Sequence, residues 1–146
     1  MRSFAASALL VAVLVAGCGG GGGARLSRTE YAKQADKICS TYNAKLNALP
    51  QPKSQAELAA FVGKAVPLVS DASDRLAELK PPQDEQRIAD SWNQANSDIV
   101  RALQGLRDAA KAKDNAKMQT ELAAGNKANA HANTLAKTLG MNACSK

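Results

Sequence analysis

The side chains able to do chemistry are few and widely spaced. The chain has one histidine, His131, and three cysteines, Cys18, Cys39 and Cys144. A metal centre needs three or four His, Cys, Asp or Glu ligands converging on a point, and no spacing in the sequence suggests one. Di-iron carboxylate bundles repeat a Glu-x-x-His pair on two helices, and that motif is missing here. Haem in a bundle would set His131 against a methionine of the first helix, which has none; Met118 and Met141 lie well away from His131 along the chain. Asp71, Asp74, Asp84, Glu85 and Asp90 fall at helix-surface spacings with no base beside them to divide acid from base roles. Ser40 and Thr41 have no histidine nearby, and a nucleophilic Cys39 or Cys144 would need one. These residues predict no catalytic site, no metal and no cofactor, with His131 at the border of an apolar helix face.

The amino terminus points to an address. Arg2 precedes an uncharged run from Phe4 to Ala16. That run is shorter than the roughly 18 to 20 apolar residues of a spanning helix and fits the core of a secretory signal. It ends in Val15-Ala16-Gly17-Cys18, which resembles a bacterial lipobox. The resemblance implies cleavage before Cys18 and a diacylglyceryl group on its thiol. Residues 1–17 then read as signal peptide and 18–26 as lipidated cysteine and tether, with Gly19 to Gly23 behaving as flexible coil. The glycine run is no phosphate loop, because Ala24-Arg25-Leu26 stands where Gly-Lys-Ser/Thr is required. The expected location is the extracytoplasmic face of a cell membrane, held by lipid. An ordinary signal peptide cut nearby, leaving an odd cysteine, is the alternative.

Residues 27–146 must supply the folded domain. Of the 146 residues thirty are alanine, while aromatic residues make up 3%. With so few strand formers and so many helix formers, the prediction is all-α. Ser27 to Glu30 and Ser54 to Glu57 both have capping-box spacing. Apolar positions at helical intervals follow: Tyr31, Ala35, Ile38, Tyr42, Leu46 and Leu49 in the first segment; Leu58, Phe61, Ala65, Leu68, Ala72, Leu76 and Leu79 in the second. Pro67 predicts a kink in the second helix rather than a break. After Pro81-Pro82 a third stripe comprises Ile88, Trp92, Ala95, Ile99, Leu103, Leu106 and Ala110. Asp114 caps a fourth, carrying Met118, Leu122, Gly125, Ala128, Ala132, Leu135 and Leu139, which Gly140 stops. Short connections make an up-down-up-down antiparallel four-helix bundle the economical arrangement.

If Cys18 carries lipid, an exported chain keeps Cys39 and Cys144, which most simply pair; two unpaired buried thiols are the alternative. The framework Glu30-Tyr31, Ala35-Asp36-Lys37-Ile38-Cys39, Leu76-Ala77-Glu78-Leu79-Lys80-Pro81-Pro82 and Leu139-Gly140 with Cys144 resembles small exported lipoproteins of high-GC Gram-positive bacteria. Those chains usually read Tyr-Gly-Leu where Leu139-Gly140-Met141 stands. The resemblance implies the fold and the bridge, and no reaction.

The 19 Lys and Arg residues outnumber 13 Asp and Glu, and one of them, Arg2, belongs to the signal. The excess gathers late, with Arg101, Arg107, Lys111, Lys113 and Lys117 as possible contacts to an anionic envelope polymer. Nothing in the sequence resembles a nucleic-acid platform. The leading expectation is a non-enzymatic interaction or structural module of the cell envelope. A small hydrophobic or lipid ligand lined by Tyr42, Phe61 and Trp92 is the alternative. Oligomeric state is not legible.

Overall fold

The computed structural model describes residues 24–146, so the signal-like segment, Cys18 and the glycine run lie outside the described residues. Within them the protein is all-α: helices α1 (Arg28–Asn47), α2 (Gln55–Ala77), α3 (Gln86–Ala112) and α4 (Asn115–Thr138), with a single 3-10 turn at Gln83–Glu85 before α3.

The helix ends follow from local side chains. At α1 the Ser27 hydroxyl accepts the Glu30 N–H and the Glu30 carboxylate accepts the Ser27 N–H at 3.1 Å, a complete capping box. The bonds from Ser27 hold the Glu30 carboxyl below its usual range. At α2 only half the box forms. Ser54 accepts from Glu57, but the Glu57 carboxylate turns outward to the Lys53 N–H at 2.6 Å. Asp114 caps α4 by accepting the Lys117 N–H at 2.9 Å.

Helix α2 runs through Pro67 without interruption. Pro67 is exposed, and so is Gly63, whose carbonyl loses its helical donor, so water can serve the freed group. Gly140, at φ 76°, ends α4, and the Met141 N–H donates to the Ala136 carbonyl at 2.9 Å, the six-to-one bond of a Schellman stop. The same stop closes α3, but there Lys113 occupies the left-handed position, at φ 56°.

Two apolar clusters form. The larger joins Tyr31 and Ala35 of α1, Leu76 of α2, Ala89, Trp92 and Ala95 of α3, and Ala132, Ala136, Leu139 and Met141 around the end of α4. The smaller joins Val62, Val66 and Leu106, flanked by Leu58, Phe61, Leu103 and Met118, and takes nothing from α1. Several expected core positions are corrected. On α2 the centre of the buried face is Val62 and Val66, with Phe61 and Leu68 at its margin. On α3 the fully buried positions include Ala89, Ala102 and Ala109, with Ile88, Ile99 and Leu103 partly covered. Leu122 is 46% exposed.

The reason is the α3–α4 seam, where small residues face one another. A methyl group built on Gly125 would stand 3.4 Å from the Ala102 Cβ, while the space over Gly105 is taken by the end of the Glu121 side chain. Backbones this close leave no room between them for branched side chains, which move to the flanks. Among the described residues α3 packs along both α2 and α4, and α1 packs along α2. No Cα of α1 comes within 8 Å of a Cα of α4. These two helices meet only through side chains and through the tail after Gly140. No described helix is long and apolar enough to cross a membrane.

Candidate functional site

The tail is what closes the gap between α1 and α4. Cys39 of α1 and Cys144 form a disulfide across 105 residues of sequence. One turn before Cys39, Asp36 accepts three successive backbone N–H groups, from Asn142 at 2.9 Å, Ala143 at 2.8 Å and Cys144 at 3.2 Å. One turn after Cys39, the Asn43 amide donates to the Ala143 carbonyl at 3.3 Å. Carboxylate, thiol and carboxamide thus bind the tail along one stripe of α1, at i, i+3 and i+7. Met141, 1% exposed, anchors the near end in the larger cluster.

Behind this strap lies a cleft of about 200 Å³ reached by all four helices. Its apolar wall includes Leu46, Val69, Leu76 and Ile99, the disulfide forms one side, and Asn96, Asn129 and Asn133 bring carboxamides from α3 and α4. Asn129 and Asn133 are four residues apart and so share a helix face. The Asn96 Nδ2 is buried and finds no acceptor among the described residues.

Tyr42 supplies the aromatic part of the wall and is held from outside. Its hydroxyl donates to Asp71, which also accepts from Arg75 Nε at 3.1 Å, and the Lys45 ammonium sits 4.4 Å from the ring centroid. Donation to Asp71 pushes the Tyr42 phenol up. The same bond, helped by Arg75, holds the Asp71 carboxyl below the ordinary carboxylate range. Asp71 in turn raises the Arg75 guanidinium.

The three aromatic residues suggested as ligand-lining are not brought together. Tyr42 lines the cleft; Trp92, 1% exposed, lies inside the larger cluster; Phe61 borders a separate groove of about 180 Å³ with Leu49, Pro50 and Pro52. The basic residues suggested for polyanion contact are partly occupied. Arg101 pairs with Asp98, and Arg107 Nε lies 2.8 Å from Asp108, whose carboxyl it holds low and by which it is raised. Lys111, Lys113 and Lys117 are exposed, with Lys113 shaping the α3–α4 turn. His131 is exposed rather than at a buried border, because α4 turns Ala132 and Ala136 inward. It flanks a shallow surface hollow with Asp98, Arg101, Glu121 and Lys127. No group of three or more potential metal ligands occurs among the described residues.

The asparagines were passed over in the sequence because polar residues on a helix read as solvated. A signal was there: asparagine is a poor helix former, yet Asn126, Asn129 and Asn133 fall within eight residues of α4. The chain matches no family model, no curated protein and no solved structure.

Proposed function

We propose that the protein is an exported, lipid-anchored, non-catalytic module of a bacterial cell envelope, presenting an up-down-up-down bundle on a short tether. The observation that carries this reading is the Cys39–Cys144 bridge. A disulfide between two otherwise unused cysteines fits an oxidising compartment, as does the lipobox-like Val15-Ala16-Gly17-Cys18. Hydrogen bonds between helix ends support the topology. The Leu26 N–H donates to Lys80, Arg28 reaches Glu85 and the Thr138 carbonyl, and Gln55 reaches Asn115. These contacts join the start of α1 to the ends of α2 and α4, and the start of α2 to that of α4.

Among the described residues the cysteines and the histidine lie apart, an arrangement that favours interaction over catalysis. Both described cysteines are bonded to each other, and His131 is exposed on the surface of α4, away from them. Two acyl chains on Cys18 would give the stable anchoring that one chain does not. Replacing Cys18 with Ser tests the anchor: the protein should lose incorporation of labelled palmitate and move to the soluble fraction. Retention in the membrane fraction without label would refute it. Crosslinking on intact cells then tests the module, with specific envelope adducts as the expected result.

A small hydrophobic ligand between the helices is the second reading. The cleft beside Tyr42 favours a ligand there. The carboxamides in its wall change the chemistry expected of that ligand.

A further inference from the structure

We propose that the cleft between α1 and α4 is a binding site for one uncharged, polyhydroxylated ring of monosaccharide size, taken up by the carboxamides of Asn96, Asn129 and Asn133.

Size sets the first limit. A protein cavity of about 150 Å³ takes up benzene, and pockets for drug-sized ligands start at about 300 Å³. At about 200 Å³ the cleft admits a single six-membered ring with small substituents.

Polarity sets the second. A carboxamide offers two donors and an acceptor, and a ring hydroxyl offers both roles in return. Three carboxamides on one wall therefore match a ring bearing several hydroxyls. The Asn96 Nδ2 is already withdrawn from solvent without an acceptor among the described residues. An apolar guest would leave it unpaired and would strip water from Asn133 as well, so each group would carry its desolvation penalty without a partner. A hydroxyl guest satisfies the same atoms.

Charge sets the third. Among the described residues Lys146 is the one cationic side chain in the wall and it is exposed; the other titratable side chain there, the Tyr42 hydroxyl, is committed to Asp71 on the outside. No Asp or Glu side chain among the described residues lines the cleft. A fully charged guest would enter without a buried counter-ion, which disfavours it against a neutral one. Ile99, one turn along α3 from Asn96, and Leu76 of α2 add apolar surface to the same lining for the C–H face of such a ring. The strap that forms the side wall is fixed by the Asp36 bonds and the disulfide, so the site is formed before the guest arrives. This inference stands on the cleft alone and does not depend on where the protein resides.

The experiment is a titration of the purified, oxidised full chain, following the side-chain amide resonances of Asn96, Asn129 and Asn133 by NMR. The probes are N-acetylglucosamine and myo-inositol as neutral polyols, cyclohexanol as an apolar ring and glucuronate as an anion. Saturable shifts of these resonances by a neutral polyol, weakened about tenfold in Asn96→Leu as loss of one hydrogen bond requires, support the proposal. Asn133→Leu is the second variant should Asn96→Leu fail to fold, and thermal melts check both. Preference for cyclohexanol, tighter binding of glucuronate that depends on Lys146, or no shift at millimolar concentration would each overturn it.

Discussion

Along the α3–α4 seam alanine and glycine bring two backbones so close that a methyl group at Gly125 would already touch Ala102, whereas α1 is held away from α4 and a cleft opens between them. The first contact is made by shape alone. The second is made by ties: a disulfide, an acceptor for three N–H groups at Asp36, and the Arg28 guanidinium donating to the Thr138 carbonyl at 2.7 Å. Close approach consumes the space in which a guest would sit, so a site can exist only where the helices are spread. Spread helices bury less against each other and need a covalent brace.

Breaking the braced side should have the largest effect. Closing a loop of about 100 residues is worth about 4.7 kcal/mol in the chain-entropy picture, so Cys39→Ser should lower stability by several kcal/mol. Denaturant melts, with Cys144 titratable in the variant only, check this; a loss under about 1 kcal/mol would mean that the brace is redundant.

The seam is tested by size. Gly125→Leu should wedge α3 from α4 and destabilise by about 1–3 kcal/mol. Gly125→Ala should fit, since 3.4 Å is ordinary contact, and gain about 0.5–1 kcal/mol of helix propensity. Equal effects of the two would show that the seam is looser than its geometry.

The braced side also has a pH signature. Burial, assisted by the nearby Asp90 and Glu85, pushes the Tyr31 phenol up to about 12. Its ordinary value is about 10, so its folded pKa is raised and the neutral form is the one the core accepts. Its contribution is complete below about pH 10 and is lost as pH rises towards about 12. Comparing the wild type with Tyr31→Phe across this window should show a steeper alkaline decline in the wild type. Parallel curves would place the phenol in water.

The smallest effect belongs to the turn that ends the seam. Lys113 holds a left-handed backbone that disfavours a side chain, so Lys113→Gly should stabilise by about 0.5–1 kcal/mol. A neutral or negative change would indicate that the lysine side chain offsets the strain.

The helices and their caps were legible because each depends on residues within one turn. Ser27 with Glu30, Asp114 and Gly140 act where the sequence puts them. Which side of α3 is innermost was not legible. Periodicity ranks Ile99 and Leu103 above Ala102, yet the closeness of α4 reverses the order, and that closeness is a property of two helices together. The cleft was hidden for the same reason. Asn96 on α3 and Asn133 on α4 line one cleft only once the helices have packed, and nothing local to either residue records that. Tyr42 lines the cleft, whereas Trp92 lies in the larger cluster and Phe61 packs against the smaller one, a division that the spacing of the three aromatics does not record.

The bridge between Cys39 and Cys144 has one more consequence, for survival rather than for shape. It turns everything from the second half of α1 to the tail into a covalent ring. The exposed Lys53 and Lys113 sit on that ring, in the α1–α2 and α3–α4 connections, where a lysine-directed protease can cut. A cut at either opens the ring without shedding a fragment, so all four helices stay on one molecule. Nicked and intact protein should then be separable only after reduction.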